Sequence, residues 1–286
     1  MHSKGFEKMW EFIFLLCSLI SVLSIIVICY FIFKNGVPFI LETGIAKFLM
    51  GTDWKPTAAP PSFGVLPMIV GSVYVTIGSI IVGVPIGVLT AVFMAFYCPS
   101  RLYKILKPAV NLMAGIPSII YGFFGLMVFV PIVRGWWGGT GMTVFTASVL
   151  LGIMILPTII GLSESSLRSV PTSYYQGSIA LGATHERSLM RVVVPAAKSG
   201  ILAAIILGIG RSIGETMAVI MIAGNQPIVP ESIKMGTRTM TANIVLEMAY
   251  ATGAHREALI ATGVVLFIFI LLINLIFNVV KRRMDS

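Results

Sequence analysis

The chain has 286 residues, of which 57% are hydrophobic and only 11% are charged. Because ordinary soluble domains carry about 25% charged residues, this composition excludes a soluble globular enzyme, and the high hydrophobicity excludes a disordered chain. The three cysteines lie in or beside apolar runs, which excludes a disulfide-rich secreted scaffold. A membrane protein with several spans is the class that remains.

Six charge-poor segments predict an all-α membrane protein with six transmembrane helices. Each segment is long enough for the roughly 20 residues with which a helix crosses a bilayer. The first segment lacks a small-residue cleavage site and is too long for a signal peptide, so we expect it to remain as an anchor. The predicted helices cover residues 12–33, 66–97, 109–132, 143–162, 200–223 and 258–280.

The connections between these helices divide a single membrane domain, residues 1–286, into three parts. The N-terminal helix and its flanks cover residues 1–34, an outer loop covers 35–65, and the core covers 66–280. Within the core, the connection at 98–108 is predicted to be a short basic turn.

The inner loop at residues 163–199 is too long for a simple turn. Pro171 can open a helix, Gly182 can end it, Thr184 can cap a second helix, and Pro195 comes where the second helix should stop. We therefore predict a helix–turn–helix that hangs below the membrane.

The net charge of +9 indicates membrane orientation rather than nucleic-acid binding, because basic residues of membrane proteins collect in cytoplasmic segments. With the N-terminus inside, the cytoplasmic segments hold 12 of the 20 basic residues, including Lys4 and residues 281–283, and the outer segments hold seven. We expect a multi-pass protein of the cell (inner or plasma) membrane, surrounded by lipid, with both termini in the cytoplasm and no nucleic-acid partner.

A pair of charges interrupts the fifth predicted helix. Arg211 and Glu215 are four residues apart, so a continuous helix would place them on one face with their β-carbons about 5–6 Å apart. Charged groups at this depth should face protein or water, and the planar fork of arginine suits a tetrahedral oxyanion. We hypothesise that Arg211 attracts a permeating anion while Glu215 weakens that attraction; the alternative is an ion pair that only holds helices together.

The inner loop carries a motif with a recognisable spacing. Gln176-Gly177-Ser178 is followed by Gly182 four residues after Ser178, and the segment ends in three valines and Pro195. This pattern resembles the cytoplasmic loop of ATP-binding-cassette (ABC) importer permeases, in which a Glu-Ala-Ala triplet opens the motif; here Gln, Gly and Ser replace the triplet. The resemblance implies a surface that docks on an ATPase, formed by Gln176, Gly177, Ser178, Ala180, Leu181, Gly182, Ala183 and Pro195.

The fifth helix carries a second resemblance. The run from Gly210 to Val219, followed by Ala223-Gly224-Asn225, resembles the C-type permease family of phosphate importers (PstC-like). The similarity covers about residues 60–280. Weaker matching segments, in the same order along the chain, lie at 63–67, 83–87, 114–122, 239–244 and 255–259.

The resemblance implies a type I (MetI-like) importer bundle whose inner loop couples it to its motor. It further implies import of inorganic phosphate, a heterodimer with an A-type permease, two cytoplasmic ABC ATPase subunits, and an extracytoplasmic phosphate-binding protein. The chain has no G-x-x-x-x-G-K-[ST] loop, so we expect a transport subunit rather than an enzyme, with no cofactor of its own and with ATP and Mg²⁺ on the partner ATPase.

A polar segment after the fifth helix is a candidate outer gate or a contact for the binding protein. It contains Arg238, Thr239, Thr241 and Asn243; the alternative is an ordinary loop packed on the fifth helix. The scattered histidines show no cluster typical of a metal site.

Two alternative functions remain open from the residues alone. A proton-coupled secondary anion transporter would use Glu215 as the titrating group and Arg211 as its partner, but it would not explain the inner loop. An importer permease for molybdate or sulfate is also compatible, because charge cannot separate tetrahedral oxyanions of similar size.

Overall fold

The computed structural model describes residues 4–285, with the side chains of residues 6–277 and 279. The side chains of Lys4 and residues 281–283, which contribute to the predicted orientation, lie outside this description. The elements in the first half are α1 (Lys4–Thr43), α2 (Ile45–Met50), β1 (Trp54–Lys55), β2 (Ser62–Phe63), α3 (Leu66–Val92), α4 (Ser100–Gly115), α5 (Ser118–Phe124) and α6 (Val130–Trp137). Those in the second half are α7 (Val144–Arg168), α8 (Thr172–Ala180), α9 (His185–Ser188), α10 (Val194–Ala196), α11 (Lys198–Gly214), α12 (Met217–Ile222), α13 (Met240–Glu247) and α14 (Gly253–Asp285).

Three π-helical turns join some of these elements into longer helices. They follow α3 at Phe93–Tyr97, lie between α5 and α6 at Gly125–Phe129, and lie between α9 and α10 at Leu189–Val193. Within the described residues, five helices are long and apolar enough to cross a bilayer. α11 passes the same test only together with the helix before it, from which it is bent by 65°; it is the fifth span in chain order. The predicted six-span, all-helical class is confirmed.

The fourth span, α7, forms the centre of the bundle. Its membrane window is 67% buried, against 33% for the α3 span and 0% for α1. Glycines bring α3 and α7 together: a β-carbon at Gly83 would lie 2.7 Å from the carbonyl oxygen of Gly152. Because small residues let membrane helices approach closely, this pair forms a rigid core on which α11 and α4 also pack.

The first span is longer than predicted. α1 continues through Pro38 and ends only at Gly44, whose φ of 90° interrupts the helix. The predicted outer loop at 35–65 is therefore wrong for much of its length, since it contains the end of α1, the helix α2, and the antiparallel pair of β1 and β2. The exposed apolar side chains along the first part of α1 suit contact with lipid.

The third predicted helix, 109–132, is also wrong in its bounds. Pro117 disfavours a helical conformation at the residue before it, and Ile116 is extended (φ −71°, ψ 126°). The helix breaks there into α4 and α5, and the membrane span becomes Ser118–Trp137.

Residues 98–108 are predicted to form a short basic turn. This prediction is wrong, since most of the segment belongs to α4. Tyr103, Leu106 and Val110 lie at helical spacing and pack against Met94 of the π turn and Ile160 of α7. Arg101 and Lys104 of the same helix are exposed and keep its other face polar.

Candidate functional site

The fifth span is interrupted at Glu215. This residue is extended (φ −70°, ψ 133°), so α11 ends at Gly214 and α12 begins at Met217. The prediction that Arg211 and Glu215 share one face of a continuous helix is therefore wrong, and no ion pair joins them in the described structure. The physical reason is that Glu215 bonds to the backbone of the next helix instead.

The Glu215 side chain caps α12. Its Oε1 accepts hydrogen bonds from the backbone N–H of Thr216 (3.1 Å) and of Ala218 (3.2 Å), which are donors that the first turn of a helix leaves unpaired. Oε2 has no hydrogen-bond partner among the described residues. Glu215 is half-buried, so this oxygen is available to a molecule beside the break.

Arg211 lies in the last turn of α11 and is exposed. Within the described part of the chain its guanidinium makes no hydrogen bond or ion pair. Arg211 is therefore a cation that has no counter-ion among the described residues.

The break lies near the middle of the bundle along the membrane normal. Ser212, beside Arg211, shares a hydrogen bond of 2.7 Å with Ser79, which is close to the centre of the Leu66–Tyr97 span. An unpaired charge at this depth is costly in lipid, about 2.5–3.5 kcal/mol on insertion scales. Arg211 must therefore face water or protein.

The start of another span lies beside this break. α5, which follows the break at Pro117, packs on α12: a β-carbon at Gly122 would lie 2.9 Å from the α-carbon of Ala218. Around the two breaks, β-carbons added at Gly115, Gly210 and Gly214 would meet no atom within 4 Å. Broken helices at membrane depth are tolerated where they line a cavity or are covered by protein, so this open side is the candidate pathway.

One of the predicted outer-gate residues bonds to the backbone at the break in the fifth span. The Thr241 hydroxyl donates to the backbone carbonyl oxygen of Glu215 (3.0 Å), and Thr239 caps α13 by accepting from the N–H of Ala242. Arg238 donates to the side-chain oxygen of Asn243 (3.0 Å). The structure thus brings this polar segment against the interruption of the fifth span.

The predicted helix–turn–helix of the inner loop is present as α8, a turn at Gly182, and the helix that begins with α9. Gly182 has φ 85°, its N–H donates to the carbonyl of Ile179, and the N–H of Ala183 donates to the carbonyl of Ser178, which is a Schellman ending. The Thr184 hydroxyl accepts from the N–H of Arg187, so its predicted role as a cap is confirmed.

Most of the predicted docking residues are exposed on the inner loop. The side chain of Leu181 is 91% exposed. Ser178 and Ser188 share a hydrogen bond of 3.0 Å, and Tyr175 bonds to His185 (2.8 Å), so the two short helices form one unit. The exposed members of the predicted set are Gln176, Gly177, Ala180, Leu181, Gly182 and Pro195, while Ser178 and Ala183 are half-buried.

Residues 83–286 match the family described as binding-protein-dependent transport system inner membrane component. The chain belongs to this family. The inner-membrane component is similar to the probable ABC transporter permease protein YqgH of Bacillus subtilis, with 39% identity over 90% of this chain and 86% of that protein. It is 32% identical to the phosphate transport system permease protein PstC of Mesorhizobium japonicum, over 86% of this chain and 81% of that protein.

Solved structures give the same fold. A chain of the inward-facing MetNI methionine ABC transporter has a TM-score of 0.62 at 22% identity and covers 77% of this chain and 95% of its own. A chain of a bacterial alginate ABC transporter was solved with an alginate-bound periplasmic protein. It has a TM-score of 0.62 at 15% identity, and the match covers 97% of this chain and 98% of the transporter chain. The predicted importer-permease fold is confirmed.

The inner-membrane component contains an ionic network beside the hairpin of β1 and β2 that the sequence did not reveal. Glu247 pairs with Arg238 through Oε1, and its Oε2 accepts from the indole N–H of Trp54 (2.9 Å) and bonds to His255 (2.8 Å). Trp54 and Glu247 are 193 residues apart, so no local pattern could pair them. This network fixes Arg238, so its charge is already balanced within the protein.

A second ionic network at the opposite end of the bundle was also missed. Glu164 is 1% exposed and accepts from the Tyr103 hydroxyl (2.7 Å), from Lys107 (2.7 Å) and from Arg168 (2.9 Å). Arg168 also donates to the carbonyl of Met94 (2.8 Å). The hydrogen bond to Glu164 raises the pKa of the Tyr103 hydroxyl above its ordinary value, and burial adds to this rise. The sequence contains one indication of this network, because Glu164 and Arg168 have the i, i+4 spacing of an ion pair on a helix.

Proposed function

We propose that the chain is the permease subunit of an ABC importer and forms part of the translocation pathway for inorganic phosphate. The observation that carries the proposal is the unpaired Arg211 at the break in the fifth span. Relatives named as phosphate transport permeases, 32% and 31% identical over most of the chain, support phosphate as the anion. A tetrahedral oxyanion suits the donor fork of arginine.

In this proposal Arg211 attracts the anion and Glu215 limits the strength of that attraction. At an effective dielectric constant of about 20, a unit charge 4 Å from another is worth about 4 kcal/mol, which would hold a permeating ion too tightly. The nearby carboxylate opposes the attraction, so the anion can leave. Arg238, Thr239, Thr241 and Asn243 would form the outer gate, because Thr241 bonds directly to the backbone of Glu215.

The proposed assembly supplies what the chain lacks. The inner loop at Gln176–Pro195 would dock on a cytoplasmic ATPase, which holds ATP and Mg²⁺, and an external phosphate-binding protein would deliver the anion. A related A-type permease would pair with this chain and cover the open side of the two breaks, with two copies of the ATPase below. In this arrangement both termini would lie in the cytoplasm, and the chain itself would bind no cofactor.

The test replaces Arg211 by glutamine in the complete importer. Arg211→Gln should reduce ATP-dependent phosphate uptake into vesicles at least tenfold, because a charge–anion attraction of a few kcal/mol is lost, while the amount of membrane-inserted complex stays normal. Arg134→Gln is the matched control, since Arg134 is exposed at the end of α6 and should leave uptake near the wild-type rate. Normal uptake by Arg211→Gln would remove this residue from the pathway.

A further inference from the structure

The three carboxylates bonded at the helix junctions differ in how their oxygens are used. Both oxygens of Glu164 are bonded, Oε1 to Tyr103 and Arg168 and Oε2 to Lys107. Both oxygens of Glu247 are bonded as well, to Arg238 on one side and to Trp54 and His255 on the other. Glu215 differs from them, because within the described residues its Oε2 has no partner.

The cap on α12 keeps this oxygen available. Oε1 of Glu215 is held by two backbone N–H groups, so the carboxylate is fixed by the start of the helix and does not turn to pair with Arg211. These two N–H groups at the start of α12 already donate to Oε1, so they are not available to an anion. The break therefore offers one guanidinium that donates hydrogen bonds and one carboxylate oxygen that only accepts them.

From this arrangement we infer that Glu215 selects oxyanions that carry a proton over fully ionised ones; the inference rests on the proposed function and names the substrate class more closely. Inorganic phosphate and arsenate keep at least one O–H group at neutral pH, which can donate to Oε2 while their other oxygens accept from Arg211. Sulfate has no proton at this pH, so it would place a charged oxygen against the carboxylate. Sites built around a hydrogen bond reject strongly the analogue that cannot make it.

The Glu215→Gln variant isolates this effect. The side-chain oxygen of glutamine can still accept from the N–H groups of Thr216 and Ala218, so the cap and the break remain. At the place of Oε2 the amide presents N–H donors, which suit an ionised oxygen and do not accept from an O–H group. The variant should therefore abolish the preference for a protonated anion while Arg211 stays in place.

The experiment uses the assembled importer in lipid nanodiscs without its binding protein, so that the permease alone sets selectivity. Bound radiolabelled inorganic phosphate is displaced at neutral pH by phosphate, arsenate or sulfate. In the wild type, arsenate should compete within about threefold of phosphate and sulfate at least tenfold more weakly, as expected for one hydrogen bond to a charged group. In Glu215→Gln, sulfate should come within about threefold of phosphate, because both anions can offer an ionised oxygen to the amide N–H.

Arg211→Gln is the matched control, because it should weaken all three anions together. Wild-type selectivity in an assembled Glu215→Gln importer would overturn the inference alone and leave phosphate transport standing. Equal binding of phosphate and sulfate by the wild type would also overturn it, even if the variant failed to assemble. A wild-type importer that neither binds phosphate nor imports it with ATP would instead contradict the proposed function, and the inference with it.

Discussion

Charged side chains inside this bundle fall into two kinds, and the difference decides their roles. Lys107, Arg168 and Arg238 are each bonded to a buried carboxylate, so their charges are balanced within the chain. Arg211 has no such partner in the described structure. A charge that the fold does not neutralise at mid-membrane depth is expected to act on something that moves past it.

The stabilising role of the paired charges can be measured at Glu164. Glu164→Ala would leave Lys107 and Arg168 without their common partner. Breaking a buried pair costs about 3–5 kcal/mol, but these two side chains are 33% and 46% exposed and can be hydrated. We therefore expect a loss of about 2 kcal/mol in the free energy of unfolding, measured by denaturant titration in detergent.

The control for this measurement is Asp53→Ala. Asp53 and Lys55 form an ion pair with side chains that are 65% and 67% exposed, and exposed pairs contribute little. Its unfolding curve should match that of the wild type. Equal effects of the two substitutions would mean that the Glu164 network does not hold α4 against α7.

The same network predicts a pH effect at Tyr103. Its pKa lies above the ordinary value of 10.0, first because its hydroxyl donates to Glu164. The stabilisation from this bond is complete below pH 10 and is lost as the pH rises through the higher pKa of the folded state. The tyrosinate absorbance of the wild type minus that of Tyr103→Phe should titrate with a midpoint above pH 10. Glu164→Gln should move this midpoint back down. A wild-type midpoint at or below pH 10 would contradict the bond to Glu164.

At the scale of elements, the turn at Gly182 joins α8 to α9, which carry the proposed docking surface. A side chain at φ 85° is strained, and more so for a β-branched residue. Gly182→Val should therefore displace α8 from α9 and weaken co-purification of the ATPase at least tenfold, while the chain still inserts into the membrane. Gly161→Ala is the control, because a β-carbon there meets no atom within 4 Å and the position lies outside the loop; retained ATPase binding by Gly182→Val would show that the turn does not shape the surface.

The sequence predicted elements well where the signal was local, and poorly where a contact across the fold decided it. Apolar runs gave the six spans, and a glycine and a threonine gave the inner turn and its cap. The break at Glu215 was missed because a carboxylate four residues after an arginine suits a continuous helix equally well. The hydrogen bonds of Glu215 to the backbone of α12 compete with a continuous helix, and a single sequence does not reveal them. The pairing of Trp54 with Glu247 also depends on neighbours that are distant in the sequence.

Across the whole molecule, the two ionic networks lie at opposite ends of the bundle and the break in the fifth span lies between them. The Glu164 network ties α4 and the π turn after α3 to α7. Its member Arg168 lies three residues before Pro171, where the helical loop begins. The Glu247 network ties the hairpin of β1 and β2 to α13 and α14.

The most direct test of the account asks what drives the anion across the membrane. The chain, co-purified with its natural partners and sealed into vesicles with the binding protein outside, is supplied with labelled phosphate under two conditions: ATP inside with no ion gradient, or a pH gradient with no nucleotide. A separate ATPase as motor predicts uptake only with internal ATP. Uptake driven by the pH gradient alone would contradict it and favour a proton-coupled carrier.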